Sequence, residues 1–102
     1  MAEQPKKEDW VYVAIESAGN SEGYAGYRDA PSNVFYIPAF YDKDAAQDCL
    51  INLPREKGKK YEVQAVLFEA LAGDAAVNGF MIFMLDKEGH VLLKIDPASA
   101  TG

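Results

Sequence analysis

Two apolar runs that flank a short polar turn constrain the fold of this 102-residue chain more than any other feature. The segment FMIFMLDKEGHVLLKID, residues 80–96, predicts a β-hairpin, because Gly89 in the DKEG turn is free to adopt a positive φ. Residues 80–85 are apolar on both faces, which is typical of a central strand. Residues 90–95 alternate in polarity and predict a partner strand with one wetter face.

Three further stretches have the composition of β-strands. WVYVAIES, residues 10–17, is apolar on both faces, so we expect it inside the sheet. YEVQAV, residues 61–66, alternates as an extended segment does. NVFYIPAFY, residues 33–41, is aromatic and extended, but Pro38 cannot donate a ladder hydrogen bond. We therefore expect that strand to lie at a sheet edge, to contain a bulge or to end early.

Apolar residues at helical spacing predict two helices. The first lies in DKDAAQDCLINLP, with Asp42 as its cap and Pro54 at its end. Its apolar stripe is Ala45, Ala46, Cys49, Leu50 and Leu53. The stripe of the second helix is Phe68, Leu71, Ala72 and Ala75. Gly73 inside this helix costs about 1 kcal/mol relative to alanine, and Asn78–Gly79 marks a helix exit or tight turn.

These elements predict a single α+β domain with the order β-β-α-β-α-β-β. We expect a mixed or antiparallel sheet with two helices packed on a face. The predicted domain spans residues 10–96, between a flexible tail at residues 1–9 and a C-terminal tail at residues 97–102.

A family resemblance supports this fold. The passages VFYIPAFYDKDAAQDCL, YEVQAVLFEAL and GFMIFMLDKEGHVLLKI resemble the N-terminal domain of the SseB family (enhanced serine sensitivity protein) over about residues 10–95. In that family a strand ending in a Pro-x-Phe element, here Pro38 to Phe40, continues into a helix, followed by a strand, a helix and a closing hairpin. The resemblance implies the fold and brings no catalytic motif to carry over.

Composition argues against several classes of partner. The net charge is −6, and the main basic cluster, REKGKK at residues 55–60, contains a glutamate, so we expect no nucleic-acid binding. The longest apolar run, residues 80–85, is far shorter than the roughly 20 residues that a membrane span needs. Cys49 is the one cysteine and excludes an internal disulfide, which fits a reducing compartment. We expect a cytoplasmic protein that binds neither membranes nor nucleic acid.

Residues suited to catalysis are few. Cys49 lies on an apolar helix stripe, where a cysteine is usually buried and inert, and the sequence leaves open whether the one histidine, His90, approaches it. Structural zinc needs four ligands, and capping explains Asp42 and Asp44 more simply than calcium binding does. The chain has no phosphate-binding loop and no serine-nucleophile motif. We therefore expect no metal, no cofactor and a role other than catalysis.

The stretch GNSEGYAGYRDAPSN, residues 19–33, is the predicted contact region, because tyrosine and arginine concentrate binding energy at interfaces. The candidate binding residues are Tyr24, Tyr27, Arg28, Tyr36 and Tyr41. A structured connection whose tyrosines pack back on the domain is the simpler interpretation of this stretch.

Two functions follow from these residues. The first is a protein-interaction or regulatory module, with a protein partner or a second copy bound through the Pro38 edge strand. The alternative is a binder of acidic small molecules, or an enzyme, with a pocket between loop 19–33 and the 80–95 hairpin, where Arg28 holds the acidic group.

Overall fold

Seven strands and two helices follow one another in residues 4–52 and 57–98, the parts of the chain that the computed structural model describes. They are β1 (Trp10–Ala18), β2 (Ser21–Tyr24), β3 (Tyr27–Asp29), β4 (Val34–Phe40), α1 (Lys43–Asn52), β5 (Lys60–Leu67), α2 (Phe68–Asn78), β6 (Met81–Leu85) and β7 (Val91–Ile95). All seven strands belong to one mixed sheet. The predicted α+β class is therefore confirmed.

Strands β1 and β4 are antiparallel and lie at the centre of the sheet. Strand β5 pairs antiparallel with β1 over eight residue pairs, from Trp10↔Leu67 to Ser17↔Lys60. On the other side, β4 pairs parallel with β6, which pairs antiparallel with β7. Strands β5 and β7 are thus the outer strands of the described sheet.

The stretch 19–33 contains two short strands that the predicted element order lacks. Strand β2 forms an antiparallel hairpin with the end of β1, and β3 forms another with the start of β4. Strands β1 and β4 pair directly at only two positions, Tyr12↔Phe40 and Val13↔Ala39. The two short strands therefore fill the place where β1 and β4 separate.

Pro38 lies inside the sheet, so the expectation that it marks an edge strand is wrong. Strand β4 has β6 on one side, and β3 followed by β1 on the other. Residues 34–36 pair with β3 and residues 39–40 pair with β1, so Pro38 falls between these two partners. The missing N–H is tolerated at this change of partner, and the Pro38 ring is fully buried. Strand β4 offers no free edge there.

Each face of the sheet is covered by a different helix, because successive strand residues point to opposite sides. On the face that we call the α2 face, the four predicted stripe residues of α2 are buried against Val11, Val13, Ile37, Ile82 and Met84. On the opposite α1 face, Ala46 and Cys49 of α1 pack on Phe40, Phe83 and Leu85. The two helices therefore cover opposite faces of the sheet, and the prediction that both pack on one face is wrong.

The two helices begin in different ways. Asp42 Oδ1 accepts a hydrogen bond from the N–H of Ala45 at 2.8 Å, which confirms the predicted cap of α1. Pro54, the predicted end of that helix, lies outside the described residues. Helix α2 has no side-chain cap, and its Phe68 N–H donates to the carbonyl of Asp9 at 2.8 Å. This bond ties the segment before β1 to the start of α2.

The predicted hairpin is confirmed as β6 and β7. Gly89 has a φ of 88°, and Asp86 Oδ1 accepts the N–H groups of Glu88 and His90, both at 2.9 Å. The pairing shifts between Met84 and Leu85, which shortens the regular ladder. Strand β6 is buried on both faces, as its composition indicates.

Alanine substitutions of Gly73, inside α2, and of Gly79, at its C-cap, should have opposite effects on stability. An added Cβ has no neighbour within 4 Å at Gly73 or at Gly79, but Gly79 caps the helix with a φ of 76°. We expect Gly79→Ala to lower the free energy of unfolding by about 1–2 kcal/mol through backbone strain. Gly73→Ala should raise it by about 0.5–1 kcal/mol. Urea unfolding of both variants measures the two effects, and a gain in stability for Gly79→Ala would contradict the cap geometry.

Candidate functional site

The five predicted contact residues do not converge on one site. Tyr24 packs on the α2-face core, and Arg28 is on the same face, beside Phe35. Tyr36 packs on the α1-face core, with Tyr27 paired to it. The sheet itself therefore separates the predicted set into two groups. Tyr41 belongs to neither group, since it follows the end of β4.

Tyr24 holds the short strand β2 against helix α2. Its hydroxyl donates a hydrogen bond to Asp74 Oδ2 at 2.9 Å. Burial, followed by this hydrogen bond and the negative charge of Asp74, raises the pKa of Tyr24 to about 12. The side chain thus fastens the sheet to the helix.

Tyr27 and Tyr36 belong to a row of side chains that crosses four strands of the α1 face. The Tyr27 and Tyr36 ring centroids are 6.2 Å apart, and Tyr36 stacks on Phe83 at 4.2 Å with an interplanar angle of 9°. Lys94 Nζ lies 5.2 Å from the Phe83 centroid, which is a cation–π contact. Burial raises the pKa of Tyr27 to about 12 and also raises the pKa of Tyr36. This row stabilises the sheet through cross-strand contacts.

Arg28 is used within its own hairpin. Its Nη1 donates to Asn33 Oδ1 at 2.6 Å, and Asn33 has a φ of 56° in the turn between β3 and β4. Arg28 lines neither of the two cavities described in the following paragraph. The alternative in which Arg28 holds an acidic ligand therefore stays a prediction.

A cavity of about 390 Å³ lies between the β4–α1 junction and the β6–β7 turn, and Tyr41 lines it. Its other described lining residues are Asp42, Asp44, Ala45, Asp48, Leu85, Asp86, Lys87 and Leu92. A second cavity of about 240 Å³ lies at the β1–β2 hairpin, beside Lys59. Sequence reasoning missed the first cavity because its lining comes from separate segments of the chain. The signal was an aspartate close after each of the parallel strands β4 and β6, since Asp42 is two residues after Phe40 and Asp86 directly follows Leu85.

The charge of this first cavity does not suit an acidic ligand, since four of its lining residues are aspartates. Asp42 and Asp86 already accept backbone hydrogen bonds from α1 and from the hairpin turn. The backbone N–H of His90 is the largest cause that lowers the pKa of Asp86. Among the described residues, no group of three or more His, Cys, Asp or Glu side chains could hold a metal ion.

Cys49 is a packing residue on the inner side of α1. Its side chain is 2% exposed, and burial, then the charge of Asp86, raises the pKa of the thiol. His90 follows the Gly89 turn that Cys49 faces, but its side chain is 70% exposed and its Nδ1 lies 3.2 Å from Asp86 Oδ2. A nucleophilic cysteine needs a lowered pKa, so the structure gives Cys49 no such activation.

The outer edge of β5 is a surface that sequence reasoning did not select. Its eight residues pair with β1 in unbroken register, and no other described strand lies beside it. At its end, Leu67 is 38% exposed and its cross-strand partner Trp10 is 59% exposed, both on the α1 face. The signal in the sequence was a large apolar residue at the start of β1, Trp10, and another at the end of β5, Leu67. These two strands pair in the sheet, which brings the two residues side by side.

Comparisons with protein-family models, with curated proteins and with solved structures gave no match. The resemblance to the SseB family therefore stays a prediction. No helix within residues 4–52 and 57–98 is long and apolar enough to cross a membrane.

The raised tyrosine pKa values predict a loss of stability at alkaline pH. The pKa of Tyr24 is about 12 in the folded protein, against an ordinary value of 10.0. Its contribution to the free energy of unfolding is therefore complete below pH 10 and is lost as the pH rises toward 12. Tyr24→Phe should therefore lose less stability over this interval than the parent protein. Urea unfolding at several pH values measures this, with Asp74→Asn as a second variant that should reproduce part of the effect. Equal losses in all three proteins would contradict the Tyr24–Asp74 assignment.

The burial of Cys49 predicts slow thiol chemistry. We expect a water-soluble thiol reagent to modify the native protein only as fast as it unfolds, because the thiol is buried and its pKa is raised. The control is Gln47→Cys in a Cys49→Ala background, since Gln47 lies on the exposed side of the same helix. Equal rates for the two thiols in native protein would contradict the assignment.

Proposed function

We propose that this chain is a protein-interaction module that binds an extended polypeptide segment along the outer edge of β5. A segment added there continues the sheet by main-chain hydrogen bonds, the mode known as β-augmentation. The observation that carries the proposal is the long regular edge of β5, with the exposed Trp10–Leu67 pair at its end.

The two outer strands differ in how they are protected. Natural proteins protect sheet edges with short strands, bulges, prolines or lysines. Strand β7 has five residues, its pairing with β6 skips Leu92, and Lys94 is its fourth residue. Strand β5 has eight residues, no proline and no register shift, and its lysine is at its first position. Strand β5 is therefore the edge suited to accept a partner.

The exposed apolar pair supplies side-chain contacts for such a partner. Tryptophan is among the residues that carry most binding energy at interfaces. Moving an exposed apolar side chain out of water lowers the free energy of the complex. Leu67 lies at one end of the edge strand, and Trp10 of β1 lies beside it on the same face, one strand further inside the sheet. A bound segment would thus gain main-chain bonds from β5 and an apolar anchor at this end.

The remaining parts of the proposal concern setting and family. We place the protein in the cytoplasm, since its one cysteine is a buried thiol and suits a reducing compartment. Membership of the SseB family is compatible with a non-catalytic module and is proposed on the sequence resemblance alone.

Selection from a displayed library of extended peptides tests the proposed function. We expect bound peptides to slow amide hydrogen exchange in residues 60–67. Trp10→Ala should weaken their binding by more than about fivefold, because truncating an interface tryptophan commonly costs more than about 1 kcal/mol. Val77→Ala is the control, since Val77 is 85% exposed on α2 and should leave binding unchanged. Peptides whose protection maps away from β5 would overturn the proposal.

A further inference from the structure

We infer that the segment bound by the β5 edge is β5 of a second copy of this chain. This inference rests on the proposed function. The two strands pair antiparallel about a two-fold axis, so that one sheet runs through both copies. Val63 lies opposite Val63 of the second copy. The interface is isologous, since the same edge contributes from each copy.

The faces of the sheet restrict the register of this pairing. With the axis perpendicular to the sheet, helices α1 of both copies stay on one side, and opposite residues must share a face. Val63 packs on the α1-face core, and Val66 packs on the α2-face core. Odd-numbered residues of β5 therefore oppose odd-numbered ones, and even-numbered residues oppose even-numbered ones.

The charges of β5 favour the register centred on Val63. In that register Glu62 of each copy lies opposite Gln64 of the other, and Lys60 lies opposite Val66. Moving the centre to Glu62 would place Glu62 of one copy opposite Glu62 of the other, and two like charges in direct cross-strand contact are destabilising. Moving it to Gln64 would place Glu62 opposite Val66, so the carboxylate would keep only the hydrogen bond that it accepts from Gln64 of its own chain. Lys60 tolerates an apolar neighbour better, because its long stem packs on apolar surface while the amine stays in water.

The ends of β5 are complementary in this arrangement. Antiparallel pairing brings the Trp10–Leu67 end of one copy to the Lys59 end of the other, with Lys59 opposite Leu67. Lys59 Nζ lies 3.5 Å from Glu16 of its own chain, so its charge is already paired. The contact then brings apolar side chains together with a lysine stem, and it forms twice by symmetry. The net charge of −6 opposes association elsewhere on the surface, whereas described residues 57–60 contribute three lysines near the edge.

Sedimentation equilibrium of the full chain over a concentration series tests this inference with a pair of opposite variants. Gln64→Lys places a lysine opposite Glu62 of the second copy, and Gln64→Glu places a carboxylate there. We expect the first to tighten dimerisation and the second to weaken it, each by about twofold to thirtyfold, since two symmetric cross-strand pairs change together. Gln47→Lys and Gln47→Glu, on the exposed side of α1, are the controls for the same changes in net charge.

The outcomes separate this inference from the proposed function. If the protein is a monomer at all concentrations, the inference that a second copy is the partner is overturned. Slower amide hydrogen exchange in residues 60–67 on peptide binding would still support the proposed interaction module. A dimer that both Gln64 variants weaken overturns the register, because that result needs Gln64 opposite Gln64. A dimer whose Gln64 variants behave as the Gln47 variants do overturns the use of this edge. Circular dichroism of each variant confirms that the monomer fold is kept.

Discussion

The burial of β6 on both faces is the constraint on which the rest of the structure depends. Ile82 and Met84 are buried in the α2-face core, and Phe83 and Leu85 in the α1-face core. Because burial of apolar surface is the main driving force of folding, both sides of this strand need a cover. The parallel pairing of β4 with β6 also needs a long crossover connection. One connection, α1–β5–α2, meets both needs, since it places one helix on each face before the chain enters β6.

Local patterns predicted the elements whose residues interact with near neighbours. The stripe of α2, the Asp42 cap and the Gly89 turn depend only on spacing and on intrinsic conformational preference. The position of Pro38 could not be predicted in this way, because it depends on β4 exchanging β3 for β1 beside the proline. Strands β2 and β3 have only four and three residues, too short for a periodic pattern to show.

The candidate site was less predictable than the fold because nearness along the chain was taken for nearness in space. Tyr27 and Arg28 are neighbours in β3, and strand geometry sends their side chains to opposite faces. Tyrosines near a sheet also serve as packing residues, as the stack of Tyr36 on Phe83 illustrates. An outer strand is a property of the whole topology, so no local pattern in residues 60–67 could identify β5 as the edge.

The exposure of the β5 edge follows from the way the chain continues. Leu67 is the last residue of β5 and also occupies the N-cap position of α2, so strand and helix join without a loop. The first turn of α2 depends on this junction, because Phe68 donates to the carbonyl of Asp9 directly before β1. Strand β5 must therefore stay paired with β1 to its end, and a bulge or proline late in the strand would break the register that brings Phe68 to Asp9. A long, regular outer strand is thus a structural requirement of this connection, and the proposed partner along β5 would protect the edge without disturbing the junction.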